Sequence, residues 1–134
     1  MLKQRNMMLR LVISVLCLMP LSLLAAQSSN CDKPRNDFDG LYCLNKVYQQ
    51  ADNELNATFQ KLSAQLNADG KARLKRGQLA WIRERNEECS ETRGEAFLVN
   101  LRCATETTVD RLNFLQARYR ECVSSGCRNS LLDP

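Results

Sequence analysis

Six cysteines, Cys31, Cys43, Cys89, Cys103, Cys122 and Cys127, are the side chains here whose type and number most directly imply chemistry. An even set of thiols in a short exported chain oxidises to a disulfide framework. The spacing suggests Cys31–Cys43, Cys89–Cys103 and Cys122–Cys127 among the connectivities that six thiols allow. Zinc is the competing use of such residues, but the chain has no histidine and no CxxC pair. The same lack of CxxC argues against a redox enzyme. Without histidine the commonest general base is also missing, and neither a metal-ligand cluster nor a Gly-rich phosphate loop occurs. The expectation is a stapled binding module with no catalytic residue, no metal and no cofactor.

The oxidising compartment follows from the N-terminus. Lys3, Arg5 and Arg10 precede an apolar run from Leu11 to Leu24 that is interrupted at Pro20, and Ala25-Ala26 offers small residues for cleavage. Residues 1–26 therefore read as a signal peptide, cut after Ala26 or, failing that, after Ser28. The run falls short of the roughly 18 uninterrupted apolar residues of a spanning helix, so no stable membrane anchor is expected after cleavage. A seventh cysteine, Cys17, lies inside the leader behind Leu16, where a lipobox would carry a small residue. Cleavage removes three of the 19 basic residues, leaving 16 against 15 acidic ones, a net charge of +1. So balanced a domain carries no overall electrostatic footprint for nucleic acid. The destination is the periplasm, with release to the outside as the variant outcome.

Helices must position the cysteines. Leu41, Leu44, Tyr48, Ala51, Leu55, Phe59, Leu62 and Leu66 recur at steps of three and four, which predicts a helix from Asp37 or Asp39 to Asn67. Asn67-Ala68-Asp69-Gly70 is turn chemistry, with Asp69 as the expected N-cap of a helix over 70–89. Its inner stripe is Leu74, Gln78, Trp81, Ile82 and Arg85, and Gly77 weakens it by up to about 1 kcal/mol relative to alanine. A third helix is expected over 105–122, with Val109, Leu112, Leu115 and Tyr119 on one side. Residues 90–102 read as a loop containing an apolar run, Ala96 to Val99. No strand-type alternation stands out, so the fold class is all-α: an antiparallel helical hairpin plus a third helix.

Folding the first two helices about residues 68–69 sets Asp52 opposite Arg85, Leu55 opposite Ile82 and Phe59 opposite Gln78. An Asp52–Arg85 ion pair is expected, completed by Asn56 and Gln78 into a polar layer that fixes register more than it adds stability. A catalytic role for Asp52 is disfavoured, because a basic partner would keep it ionised. The predicted core holds Leu55, Phe59, Trp81, Ile82 and Leu112. The same geometry weighs against a Cys43–Cys89 bridge, which lies about five residues out of register, roughly 7.5 Å along a helix.

These motifs resemble a known family. Cys43, Asp52-x-Glu54-Leu55-Asn56, Gln78-x-x-Trp81-x-x-x-Arg85-x-x-x-Cys89, Cys103 and Thr108-x-x-Arg111 are similar to the lysozyme inhibitor LprI-like family, formerly a domain of unknown function. The resemblance covers about residues 31–122. It implies an exported helical protein whose partner is a lysozyme-type cell-wall hydrolase. Domain bounds follow: 27–37 an N-terminal arm, 38–123 the LprI-like helical domain and 124–134 a flexible tail. The family's namesake is a lipoprotein, whereas this chain lacks a lipobox, which favours a soluble periplasmic state. The Cys122/Cys127 pair is additional to the motif.

An inhibitory surface must come from exposed groups. Glu84, Glu87, Glu88, Glu91 and Glu95 cluster at the end of the second helix and in the following loop, with Phe97 as a candidate anchor. Animal-type lysozymes are basic, so an acidic rim could steer one. The plainer reading is a solvated helix end, since Arg83, Arg85 and Arg93 are interspersed and acids there oppose the helix dipole. Lys71, Arg73, Lys75 and Arg76 form a basic cluster at the opposite end, read as a solvated face because no aromatic residues interleave it. Two other protein-binding roles share the same physics: an immunity protein neutralising a delivered toxin, and an accessory envelope protein.

Overall fold

The computed structural model describes Cys31 and residues 33–133. The expected signal peptide, Cys17 and all of the arm before Cys31 lie outside these residues. The order of elements is α1 (Asp37–Gln65), α2 (Ala68–Cys89), β1 (Ser90–Arg93), β2 (Ala96–Val99), α3 (Leu101–Ser125) and a short 3-10 turn (Asn129–Leu131).

Each helix starts on an asparagine. Asn36, Asn67 and Asn100 hold extended backbone, and their side chains accept from the N–H groups of Asp39, Gly70 and Cys103 at 2.8, 2.9 and 3.1 Å. Each cap satisfies one donor that the first turn would otherwise leave free. The second helix thus begins at Ala68 with Asn67 as its cap, and the expected cap Asp69 lies in its first turn. Asp37 and Asp39 put negative charge at the positive end of α1. The third helix opens four residues earlier than its stripe predicts. Thr105, Thr107 and Thr108 sit in its first turns and donate their hydroxyls back to Leu101, Cys103 and Ala104. That back-bonding accommodates polar β-branched residues within a helix.

Helix α3 runs alongside α1 in the same direction. Arg102 lies beside Pro34 and Val47 at one end, and Cys127 Sγ lies 3.6 Å from the Gln65 carbonyl oxygen at the other. This pair makes the closest helix packing in the chain, and α2 is the return leg. Leu55 and Leu62 of α1, Leu66 at its C-cap, Leu74 of α2 and Leu112 and Leu115 of α3 form the buried core, with Phe59, Trp81, Phe114 and Tyr119 packed against it. Of the expected core, Leu55 and Leu112 are buried, Phe59 and Trp81 are half-buried at its margin, and Ile82 is half-buried outside it.

Two expectations need correction. The fold is mostly α but not strictly all-α, because residues 90–99 form an antiparallel hairpin pairing Ser90 with Val99 and Arg93 with Ala96. Gly94 turns it with φ +61°, a left-handed conformation that favours glycine in a two-residue loop. The tail is also not a frayed end. Its 3-10 turn drops Leu132 into the core at 1% exposure, and Asp133 pairs with Arg73 and Arg76, each at 3.3 Å. One leucine adds its transfer free energy to the core, and two arginines anchor the residue beside it.

Candidate functional site

The disulfides are Cys31–Cys43, Cys89–Cys103 and Cys122–Cys127, with Cα separations of 5.3, 5.4 and 4.0 Å. The second joins the last residue of α2 to the first turn of α3, across the base of the hairpin. The Asn100 N–H also donates to the Cys89 carbonyl at 2.8 Å. A two-stranded hairpin is marginal alone. Here a covalent clamp and a backbone bond hold both of its strands at the root.

Alternation along the strands divides the hairpin's side chains. Phe97 and Val99 line a cavity with the helices, and Leu98 lies on the other face with Glu91. Every residue from Glu91 to Asn100 is exposed, including Phe97 at 67% and Val99 at 56%. The candidate acids Glu84, Glu87, Glu88, Glu91 and Glu95 are all exposed too, along the last turns of α2 and on the hairpin. Glu91 bonds Arg93 on its own strand at 2.6 Å, a surface pair of small energetic weight. The acids and Phe97 therefore share one end of the molecule.

The expected polar layer is rearranged. Asp52 makes no ion pair with Arg85; it accepts instead from Asn56 at 3.2 Å, within its own helix. Arg85 stacks on Trp81 with its guanidinium carbon 4.8 Å from the ring centroid, and donates to Asn86 Oδ1 at 3.2 and 3.4 Å. Gln78 turns to the third helix and accepts from Arg111 Nε at 3.1 Å. A two-helix register underlay the Asp52–Arg85 expectation. With α3 packed closely along α1, the cation at the centre is Arg111.

Arg111 is 5% exposed and stacks on Phe114 at 4.8 Å, while its Nη2 is buried without a partner. Burial lowers its pKa, opposed by the Glu84 carboxylate. Two motif arginines thus stack on aromatic rings, Arg85 on Trp81 and Arg111 on Phe114.

At the far end, Asp69 accepts from Asn129 at 3.0 Å and from Arg73 at 3.1 Å, and these bonds hold its carboxyl below the usual range. Half of the basic cluster, Arg73 and Arg76, is engaged with the tail. Sequence reasoning did not anticipate the burial of Arg111 or the place of Tyr48 and Val99 in the cavity beneath the hairpin. Arg111 carried a signal, since a cation at a motif position in a mostly apolar stripe needs an acceptor.

Among the described residues, no group of three or more His, Cys, Asp or Glu side chains could hold a metal ion, and no helix is long and apolar enough to cross a membrane. Comparisons with curated proteins and with solved structures returned no match. The sequence profile of the family described as Lysozyme inhibitor LprI matches residues 31–115, which include the first two disulfides, the hairpin and both cation–aromatic pairs. That family is one of inhibitors and not of enzymes. The match spans well over half of the chain, and the protein belongs to the LprI lysozyme inhibitor family.

Proposed function

We propose that this protein acts in the periplasm as an inhibitor of lysozyme-type cell-wall hydrolases, and that it grips them with its hairpin end. Family membership supports the inhibitory role. The observation that carries the choice of surface is the exposed Phe97 on a disulfide-rooted hairpin, flanked by five exposed glutamates. An aromatic anchor on a rigid mount loses little entropy on binding, and aromatic residues dominate the energetic centres of interfaces. The acids around it set up a negative field that draws in a basic enzyme and speeds encounter.

The test is clearing of a cell-wall suspension by an animal-type lysozyme in the presence of purified, oxidised protein. Inhibition saturating near stoichiometry is expected, lost in Phe97→Ala and weakened by added salt. Undiminished lysis at a large molar excess of the protein would end the proposal.

A further inference from the structure

The three α-helices and both strands of the hairpin converge on a half-enclosed cavity of about 190 Å³. Tyr48 of α1, Arg85 and Asn86 of α2, Phe97 and Val99 of β2 and Ala104 of α3 line it. Its volume falls below the ~300–1,000 Å³ of pockets for drug-sized ligands. It suits a single side chain or a small acid.

The lining holds one cation, Arg85, and the polar Asn86 and Ser90 within a mostly apolar surface. No carboxylate among the described residues forms an ion pair with Arg85. Its nearest acidic neighbours along the helix, Glu84 and Glu88, are exposed, and its long contacts to Asn86 use few of its donors. Arginine presents five donors in a planar fork matched to a carboxylate. Stacking on Trp81 holds that fork in one orientation and lowers the ordering cost of engaging a ligand. A half-enclosed apolar setting strengthens a charge-assisted bond relative to open water.

We infer that this cavity is a carboxylate-binding subsite in which Arg85 takes the anion and Tyr48, Phe97 and Val99 enclose the short alkyl stem that bears it. In the complex proposed above, and resting on that reading, the occupant is an Asp or Glu side chain projecting from the hydrolase surface. The arrangement is a cation in a recess with glutamates outside it. It is complementary to a basic partner surface that carries an isolated protruding acid, and such a pattern rejects partners of the wrong charge order.

The experiment is an NMR titration of the oxidised full-length mature protein with sodium propionate, a stand-in for a glutamate side chain. Propionamide and sodium chloride at matched ionic strength are the controls. Saturable shifts of the Arg85 Nε–H and Trp81 indole N–H signals are expected with propionate alone, and they should disappear in Arg85→Gln. Because Arg85 also packs on Trp81, Val99→Phe serves as a second variant: it fills the recess from an exposed strand position and should abolish the shifts with the fold intact. No saturable shift, an equal shift with propionamide, or persistence of the shifts in Val99→Phe would overturn the subsite. Lysozyme binding then separates the two sources of carboxylate. A tenfold or greater loss of affinity in Val99→Phe identifies a protein side chain as the occupant, and unchanged affinity assigns the subsite to a free acid and overturns the side-chain assignment. If lysozyme does not bind the unaltered protein at all, the proposed function falls, while the propionate result still decides the subsite.

Discussion

The carbonyl oxygen of Leu132 lies 2.8 Å from where a Cβ on Gly77 would sit, closer than real Cβ contacts come. A helix-interior glycine that costs stability by intrinsic propensity is therefore required by the tail lying across it. Gly77→Ala should destabilise the protein by about 1–3 kcal/mol through overpacking, despite the roughly 1 kcal/mol that propensity favours alanine. Chemical denaturation measures this. A gain in stability would show that the tail does not seat against α2.

Leu132→Ala tests the same contact from the other side. A fully buried leucine truncated to alanine costs about 2–5 kcal/mol, a large share of the stability of a domain this size. The expected result is a lower denaturation midpoint with an intact far-ultraviolet helix signal, and a change under about 0.5 kcal/mol would contradict the burial.

Arg111 is a buried cation with no salt bridge among the described residues. Substituting Met keeps the apolar stem and removes a charge whose desolvation is only partly compensated, so Arg111→Met should be neutral or stabilising. Gln78→Leu does the opposite, deleting the acceptor of Arg111 Nε and leaving it buried and unpaired, at a cost of about 1–3 kcal/mol. Measuring both variants by thermal unfolding decides the matter. Equal destabilisation by both would show that the Arg111 charge is itself stabilising.

Acid should loosen the tail first. Burial tends to raise the Asp133 pKa, but the bond and charge of Arg73 together with the Arg76 bond and a backbone bond outweigh it, so the group sits below its ordinary value. Asp69 is likewise lowered, chiefly by the Asn129 and Arg73 bonds. A carboxyl whose folded pKa is depressed stabilises above its unfolded value of about 3.9 and loses that contribution as pH falls through the folded value. Hydrogen exchange of the amides at 129–133 should rise below about pH 4 relative to the helices. Asp133→Asn should flatten that dependence, and a high salt concentration should shrink it. Protection that stays constant down to acid unfolding of the whole domain would refute this.

The clamp at the hairpin's root should matter more for binding than for folding. Replacing Cys89 and Cys103 by alanine opens a loop with a sequence separation of 14 and costs roughly 3 kcal/mol in the chain-entropy model. Inhibition should fall further than the unfolded fraction explains, because the strands lose their fixed mount. Proportional losses of folded protein and of inhibition would remove the hairpin's special role.

What the sequence disclosed was the part that repeats. Leu55, Leu62 and Leu66 recur at helical spacing, and the structure buries all three. The hairpin was less visible, because Glu91, Thr92 and Arg93 carry no apolar alternation and the apolar run Ala96–Val99 reads equally as loop cover. The turn signal was there in Gly94-Glu95, flanked by residues that pair directly. Leu132 was not legible, since a lone leucine in a polar tail belongs to no period and its burial depends on Gly77, more than fifty residues away in the chain. The Asp52–Arg85 expectation treated two helices as the whole packing problem. Acid and base sat at matching positions, but a third helix supplied Arg111, and that choice is a tertiary property.

The return leg also sets a length. The tail's last residues lie against Gly77, so the remainder of α2 from there to Cys89 puts about 18 Å between them and the disulfide-rooted strands. A bead, dye or fusion partner attached beyond residue 133 would therefore stand about half of α2 away from the strands proposed to grip a partner. Captured through the tail on a sensor chip, the molecule would keep its strands clear of the attachment point.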